Sequence, residues 1–268
     1  MIDVPYLQKG LKTKAFGRKV YAFETIDSTN TCARTMAGAW APEGTVVVAE
    51  HQTEGRGRLG RSWMDSSGTS LTFSVVLRPR LSPEAINLLP LLVGVAVAEG
   101  IKAATGLSPE CKWPNDILLG GKKVCGILCE GAVRDQGLDF VIAGIGINVN
   151  QTSFPPEIAG IATSLAIASG REVKREDLLR SILRQFEALY HGERSTEFAG
   201  VPTLWEPFTR MLGSPVTLTT PEAVLSGTAT RIARDGGLVL TVDGTERTVY
   251  AGDVTLRPPN GLPHAPGN

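Results

Sequence analysis

Residues 55–61 read Gly-Arg-Gly-Arg-Leu-Gly-Arg, GRGRLGR, and the fold class turns on how they are taken. Gly55, Gly57 and Gly60 satisfy G-x-G-x-x-G. In a dinucleotide-binding fold that pattern follows a strand, opens a helix and is answered by an acidic residue about 20 positions later. Only the strand is present: Thr45 to Gln52 (TVVVAEHQ) is apolar and β-branched. Ser62-Trp63-Met64-Asp65-Ser66-Ser67-Gly68 is loop-like, Ser70 to Leu77 (SLTFSVVL) is a second strand ended by Arg78-Pro79, and position 80 is arginine. The loop therefore joins two strands, and a doubly wound parallel sheet does not fit. An RNA-binding arginine-glycine segment calls for repeats, interleaved aromatics and a basic surround, none of which accompanies this single copy. Two readings stay open, a solvated surface loop and a loop that closes over a small anion. In the second, arginine forks grip phosphate or carboxylate oxygens and glycines let the backbone approach and move.

The rest of the chain bounds the choice. Its 268 residues carry 27 Lys and Arg against 27 Asp and Glu, so no global field draws in a polyanion and the basic character of the loop is local. A hydrophobic share of 42% is that of a folded protein, long enough for one large domain and a small one. The longest uncharged apolar run, Ala85 to Ala98, spans 14 residues, short of the ~20 that cross a bilayer; a soluble protein without membrane attachment is expected. The N-terminus shows no secretory pattern. Cys32, Cys111, Cys125 and Cys129 have no CxxC spacing, so reduced thiols in a cytoplasm are expected, with Cys125 and Cys129 sharing a strand face in packing.

Along the chain, Val20 to Ile26 reads as a strand, followed by Ser28-Thr29-Asn30, suited to a helix start, and a short helix closed by Gly38. Ala85 to Thr105 reads as a buried helix, and residues 176–190 as an amphipathic one. Cys111 to Leu119, Val124 to Val133 and Phe140 to Asn148 are strands, the first two joined by Gly120-Gly121-Lys122-Lys123, with Asp135-Gln136-Gly137 a turn. After Gly213 short strands at 216–219, 227–232, 238–242 and 247–250 suggest a small β-barrel, and residues 258–268 a loose tail. The expected organisation is α+β: a mixed, mostly antiparallel sheet with flanking helices over residues 1–212, then the barrel over 213–268.

A second cluster, KWPNDILLGGKKVCGILCE at 112–130, brings a cation, a proline bend, an amide and a carboxylate to one strand. Lys123 begins the returning strand, three residues before Gly126, where a ligand can approach closely. Alone, Lys123 reads as a solvated turn lysine and Asp116 as a turn former. In the order QTEGRGRLGRSW, KWPND, KKVCGILCE, GIGIN, however, the chain resembles the biotin protein ligases, motif by motif from about Val20 to Asn150. Members of that family have a class II synthetase-like catalytic fold and a C-terminal SH3-like barrel.

The resemblance implies a reaction and a site. Biotin and ATP give biotinyl-5′-adenylate and pyrophosphate, and the biotinyl group then passes to a lysine of a biotin carboxyl carrier protein, with Mg²⁺ as cofactor. Biotin contacts would be Ser28, Thr29, Asn30, Gln52, Gly55, Arg56, Gly57, Arg58, Lys123 and Gly126. The nucleotide would meet Arg58, Arg61, Trp63 (stacking on adenine), Asn115, Asp116 and Asn148, with Asp116 also a Mg²⁺ ligand. Lys123 and Arg58 would be the catalytic cations, offsetting the repulsion between a carboxylate and a triphosphate. Lys123 is preferred to its neighbour Lys122. About 19 residues precede the first strand, fewer than the ~50 of a usual domain, so no sequence-specific DNA binding is expected; a homodimer is allowed. The alternatives are a lipoate or octanoate ligase or transferase of the same fold, and a nucleic-acid-binding module.

Overall fold

The computed structural model describes residues 1–79, 81–134, 137–220 and 223–256. The turn expected at 135–136 and the tail at 258–268 lie outside them. Among the described residues seven α-helices, α1 (Val4–Lys9), α2 (Thr29–Gly38), α3 (Leu88–Thr105), α4 (Pro156–Ala159), α5 (Leu165–Ser169), α6 (Arg175–Glu193) and α7 (Val201–Trp205), accompany two sheets. The first sheet holds β1 (Val20–Ile26), β2 (Val46–Gln52), β3 (Ser70–Leu77), β4 (Glu110–Lys112), β5 (Asp116–Leu119), β6 (Lys122–Arg134) and β7 (Gly137–Asn148), in the order β1-β2-β3-β7-β6-β5-β4. Only β1 and β2 run parallel. The second sheet, β8 (Pro215–Thr219), β9 (Val224–Ile232), β10 (Leu238–Val242), β11 (Thr245–Val249) and β12 (Asp253–Leu256), is antiparallel in the order β11-β10-β9-β8-β12.

Side-chain alternation along β3 sorts the two faces of the large sheet. Leu71, Phe73, Val75 and Leu77 enter the main core with α3 and α6, whereas Ser70, Thr72 and Ser74 lie on the opposite face. There α2 covers one end with Ala33 and Ala37 against Val47, Val76, Phe140 and Ile142. The polar hydroxyls of β3 thus belong to a partly open face, and that face carries the candidate site. Residues Ala85–Thr105 are long and apolar enough to span a bilayer by composition, yet two thirds of that stretch is buried inside the fold, where α3 packs in the main core.

Several boundaries differ from the sequence reading for local reasons. The strand expected over 111–119 is split into β4 and β5 at Trp113-Pro114-Asn115, since proline has no N–H for the ladder. The turn is only Gly120-Gly121, both at positive φ (56° and 77°), which a two-residue hairpin of this hand requires and glycine supplies. Lys122 and Lys123 therefore belong to β6. Burial pushes the thiols of Cys111 and Cys129 up to about 12 and that of Cys125 higher still; all four cysteines are free, and these three are packing groups.

The N-terminal segment is tied to α6 through Glu187, whose carboxylate accepts from the backbone N–H groups of Lys14 (2.7 Å), Ala15 (2.6 Å) and Phe16 (3.0 Å). Burial alone would raise its pKa, but these donors, with His191 nearby, hold it below the ordinary carboxylate range. A depressed carboxylate stabilises fully above its unfolded value, about 4.3, and the contribution disappears as pH falls through the lower folded value. Glu187→Gln is expected to cost about 1.5–3 kcal/mol at pH 7 and to flatten the loss of stability below about pH 4 in acid-unfolding curves.

Candidate active site

Both sequence clusters converge on one cleft on the open face of the large sheet, a cavity of about 120 Å³. Ser28, Thr29, Asn30, Gln52, Arg56, Gly57, Arg58, Arg61, Trp63, Asn115, Asp116, Lys123 and Gly126 all line it. Two expected residues do not. Gly55 lies behind the loop, where the Trp63 carbonyl comes so close that any Cβ would collide. Asn148, at the end of β7, donates from Nδ2 to the Thr163 carbonyl (3.1 Å) and accepts from Gln151 Nε2 (3.3 Å).

The floor is one row of the sheet, read from the register as Asp116 (β5), Gly126 (β6), Gly146 (β7) and Thr72 (β3). Gly126 and Gly146 make room for Trp63. A Cβ at Gly126 would stand 3.0 Å from Trp63 Cζ3, and one at Gly146 would overlap the indole. Gly144, one residue pair along β7, does the same for Asn30. GIGIN therefore works as a flat strand against which two cleft side chains lie.

Lys123 reaches the cleft through a β-bulge. Pairing of β5 with β6 slips after Ile117↔Cys125 to Leu118↔Lys123, which leaves Val124 as an extra residue. In a regular strand, residues three apart face opposite ways; the bulge restores Lys123 to the face of Gly126. Its backbone N–H donates to the Ile161 carbonyl (2.7 Å) and its carbonyl accepts from Thr163 N (2.9 Å). Lys123 Nζ then sits 2.7 Å from Asp116 Oδ1 and 5.7 Å from the Trp63 ring centre. Lys122 points away, donating to the Ala159 carbonyl at 3.2 Å.

The arginine loop folds back on itself. Trp63 N donates to the Gly55 carbonyl (2.9 Å) and Gly57 N to the Arg61 carbonyl (2.7 Å), while Leu59 and Gly60 take positive φ (54° and 73°) at the tip. Asp65 braces its exit by accepting from Gln52 N (2.8 Å) beside His51 (2.7 Å). Each cation has a counterpart: Arg56 pairs with Glu130 at 3.0 Å, Arg58 contacts Asn115 Oδ1 at 3.4 Å, and Arg61 pairs with Asp253 of β12. Burial lowers the Arg58 guanidinium from its usual value, against the pull of Asp253 and Asp116. A partly dehydrated guanidinium that remains charged is primed for an anion. Across the cleft, Gln52 Oε1 accepts from Thr29 N (2.8 Å) and Thr29 Oγ1 (3.0 Å), and Asn30 Nδ2 donates to Glu130 (2.6 Å).

Sequence reasoning passed over Glu130, Asp253, Thr72, Ser74, Gly144 and Gly146. The small residues had a signal, since SLTFSVVL alternates hydroxyl and apolar positions and GIGIN alternates glycine with isoleucine. Asp253 had none, because nothing local says that β12 returns to the large sheet. Chemically the cleft offers Lys123, Arg58 and Arg61 toward one end, a flat glycine floor with an aromatic face, and at the other end a group of hydroxyls and amides bordered by the Arg56–Glu130 pair.

A sequence model of the biotin/lipoate A/B protein ligase family matches residues 22–148, and one of the biotin protein ligase C-terminal domain matches 211–257. The bifunctional ligase/repressor BirA of Bacillus spizizenii is 40% identical over 92% of this chain and 77% of its own length. The biotin–[acetyl-CoA-carboxylase] ligase of Mycobacterium tuberculosis is 35% identical over 93% of this chain and 95% of its own. Among solved structures, the biotin protein ligase from Aquifex aeolicus in complex with biotin and ATP superposes with a TM-score of 0.76 at 30% identity, over 90% of this chain and 99% of that one. With both domain signatures, long alignments at this identity and a shared fold, the chain belongs to the biotin protein ligase family.

Proposed function

We propose that this protein joins biotin to AMP and then transfers the biotinyl group to a lysine of a biotin carboxyl carrier protein. Its relatives are named for that reaction, and the supporting observation in this chain is the Lys123–Asp116 pair at the head of a glycine floor roofed by Trp63 and flanked by Arg56, Arg58 and Arg61. In the first step a carboxylate oxygen attacks the α-phosphorus, the bond to the bridging oxygen of the β-phosphate breaks, and pyrophosphate leaves. In the second, the acceptor amine attacks the acyl carbon, AMP departs with the anhydride oxygen, and the amine loses a proton.

Lys123 sits where it can neutralise both the acid and the α-phosphate, so the two anions meet without the repulsion they feel in water. Arg58, held at the cleft by Asn115, adds charge to the phosphate side, and Arg61 extends that side outward. Trp63 offers its ring to the adenine. The arginine loop, closed over the adenylate, would keep water from the anhydride. Among the described residues no three His, Cys, Asp or Glu side chains converge on a metal site. A Mg²⁺ would accordingly be held mostly by the triphosphate, as that ion prefers, with Asp116 supplying a carboxylate; when bound it would screen phosphate charge. The catalytic unit is taken as residues 1–212 and the C-terminal module as 213–268.

The test is transfer: the full chain with ATP, Mg²⁺, biotin and a carrier domain should give a biotinylated carrier detectable by mass spectrometry, and a carrier that stays unmodified would remove the proposal. Arg58→Ala is expected to lower kcat/KM for adenylate formation roughly 10- to 100-fold, the range for a lost hydrogen bond to a charged group, and to release adenylate faster in a filter-retention assay.

A further inference from the structure

Three hydroxyls stand in a line on the cleft face of β3, and the middle one is unlike its neighbours. Ser70 Oγ accepts from Ser66 N (2.9 Å) and Gln151 Nε2 (2.7 Å). Ser74 Oγ donates to Asn30 Oδ1 (2.6 Å) and lies 2.8 Å from Thr29 Oγ1. Thr72, only 4% exposed, lines the cleft, and its Oγ1 is buried with no hydrogen-bond partner. A buried unpaired hydroxyl is unfavourable, and valine would fill the same space without that penalty. A second unpaired polar atom faces the same spot. Trp63 Nε1 is also buried without a partner, and it lies over Gly146, the residue that pairs with Thr72 across the sheet.

Register says which part of a substrate would arrive there. Asp116, Gly126, Gly146 and Thr72 occupy one row on four adjacent strands, so Thr72 is three strand spacings, roughly 14 Å, from Asp116. A carboxylate held by Lys123 has its chain running along the row of the two glycines, between them and the Trp63 indole that covers them here and turns aside to admit it, and its far end at Thr72. The surroundings of that far end are Thr29, Gln52, Ser74 and Asn30, and Asn30 leads on to Glu130, whose charge Arg56 offsets.

We propose that Thr72 is a specificity-determining residue whose hydroxyl hydrogen-bonds the ring head of the acid substrate, reading a head group that carries N–H and C=O groups and disfavouring one that has none. This rests on the assignment of the protein as a biotin ligase, and it adds a contact to the far end of that substrate. An acid of similar length with an apolar ring would leave the hydroxyl unpaired, which is how a site built for hydrogen bonds rejects an analogue lacking them.

The experiment uses biotin-dependent pyrophosphate exchange and thermal melts of the full chain in wild-type, Thr72→Val and Thr72→Ser forms. Thr72→Val should raise KM for biotin roughly 2- to 12-fold, the range of one hydrogen bond, with KM for ATP unchanged and the ligand-free melting temperature equal to or above wild type. Thr72→Ser, which keeps the hydroxyl, should stay near the wild-type KM. An unchanged biotin KM in Thr72→Val would overturn the proposal. So would equal rises in both KM values, equal effects of valine and serine, or a ligand-free valine variant that melts below wild type. No exchange by the wild-type chain would instead refute the ligase assignment itself, so the two failures are distinguishable.

Discussion

Lys123→Ala lowers the rate of adenylate formation by about 10²–10³, the size of effect produced by removing one preorganised group from the site of developing charge. The substitution also leaves the Asp116 carboxylate, 2.7 Å from the present ammonium, facing an incoming carboxylate and a triphosphate without its counter-ion. Loss of attraction and gain of repulsion act in the same direction. Folding should hardly change, because the pair is partly exposed (37% and 20%) and such pairs contribute about 0–1 kcal/mol. Single-turnover kinetics with biotin and ATP, beside a chemical-denaturation curve, separate the two effects. A rate within tenfold of wild type would remove Lys123 from its assigned role.

Trp113→Ala has the opposite profile, a large stability effect from a residue in the same KWPND motif. Trp113 is 2% exposed in the main core and its Nε1 donates to the Gly236 carbonyl (3.0 Å), joining the large sheet to the β9–β10 turn of the C-terminal module. Gly236 sits at φ 88°, and any Cβ there would press on the Asn87 backbone at 2.8 Å, so this turn is a tight seat and not a loose contact. Truncating a buried tryptophan costs about 3–5 kcal/mol, whereas Trp113→Phe should cost about 1 kcal/mol for the lost hydrogen bond. Denaturant unfolding followed by circular dichroism measures both. A small loss for the alanine variant would mean that the two sheets are not coupled through this side chain.

Much of the framework was legible because hydrophobic content and turn chemistry agree. TVVVAEHQ, SLTFSVVL and FVIAGIGIN are strands close to where their β-branched runs place them, and the stripe from Leu178 to Leu189 lies within α6. Short helices such as α1, α4, α5 and α7 went unread; four to six residues cannot show a helical period. At the site, residue types carried the chemistry, yet two placements needed three dimensions. The bulge at Val124, which turns Lys123 onto the cleft face, leaves no mark in a one-residue count, and simple alternation would have put Lys123 opposite Gly126. The pairing of Arg61 with Asp253 spans two sheets and 192 positions. At Gly55 the Trp63 carbonyl comes so close that no side chain fits, a packing reason for glycine that the motif alone does not show.

ATP–pyrophosphate exchange by the purified full chain, run with biotin and separately with lipoate, puts the charge-neutralising cleft to the test. Exchange that depends on biotin, is absent with lipoate, and falls by about 10²–10³ in Lys123→Ala is the predicted result. Exchange driven by lipoate, or biotin-driven exchange indifferent to Lys123, would contradict it.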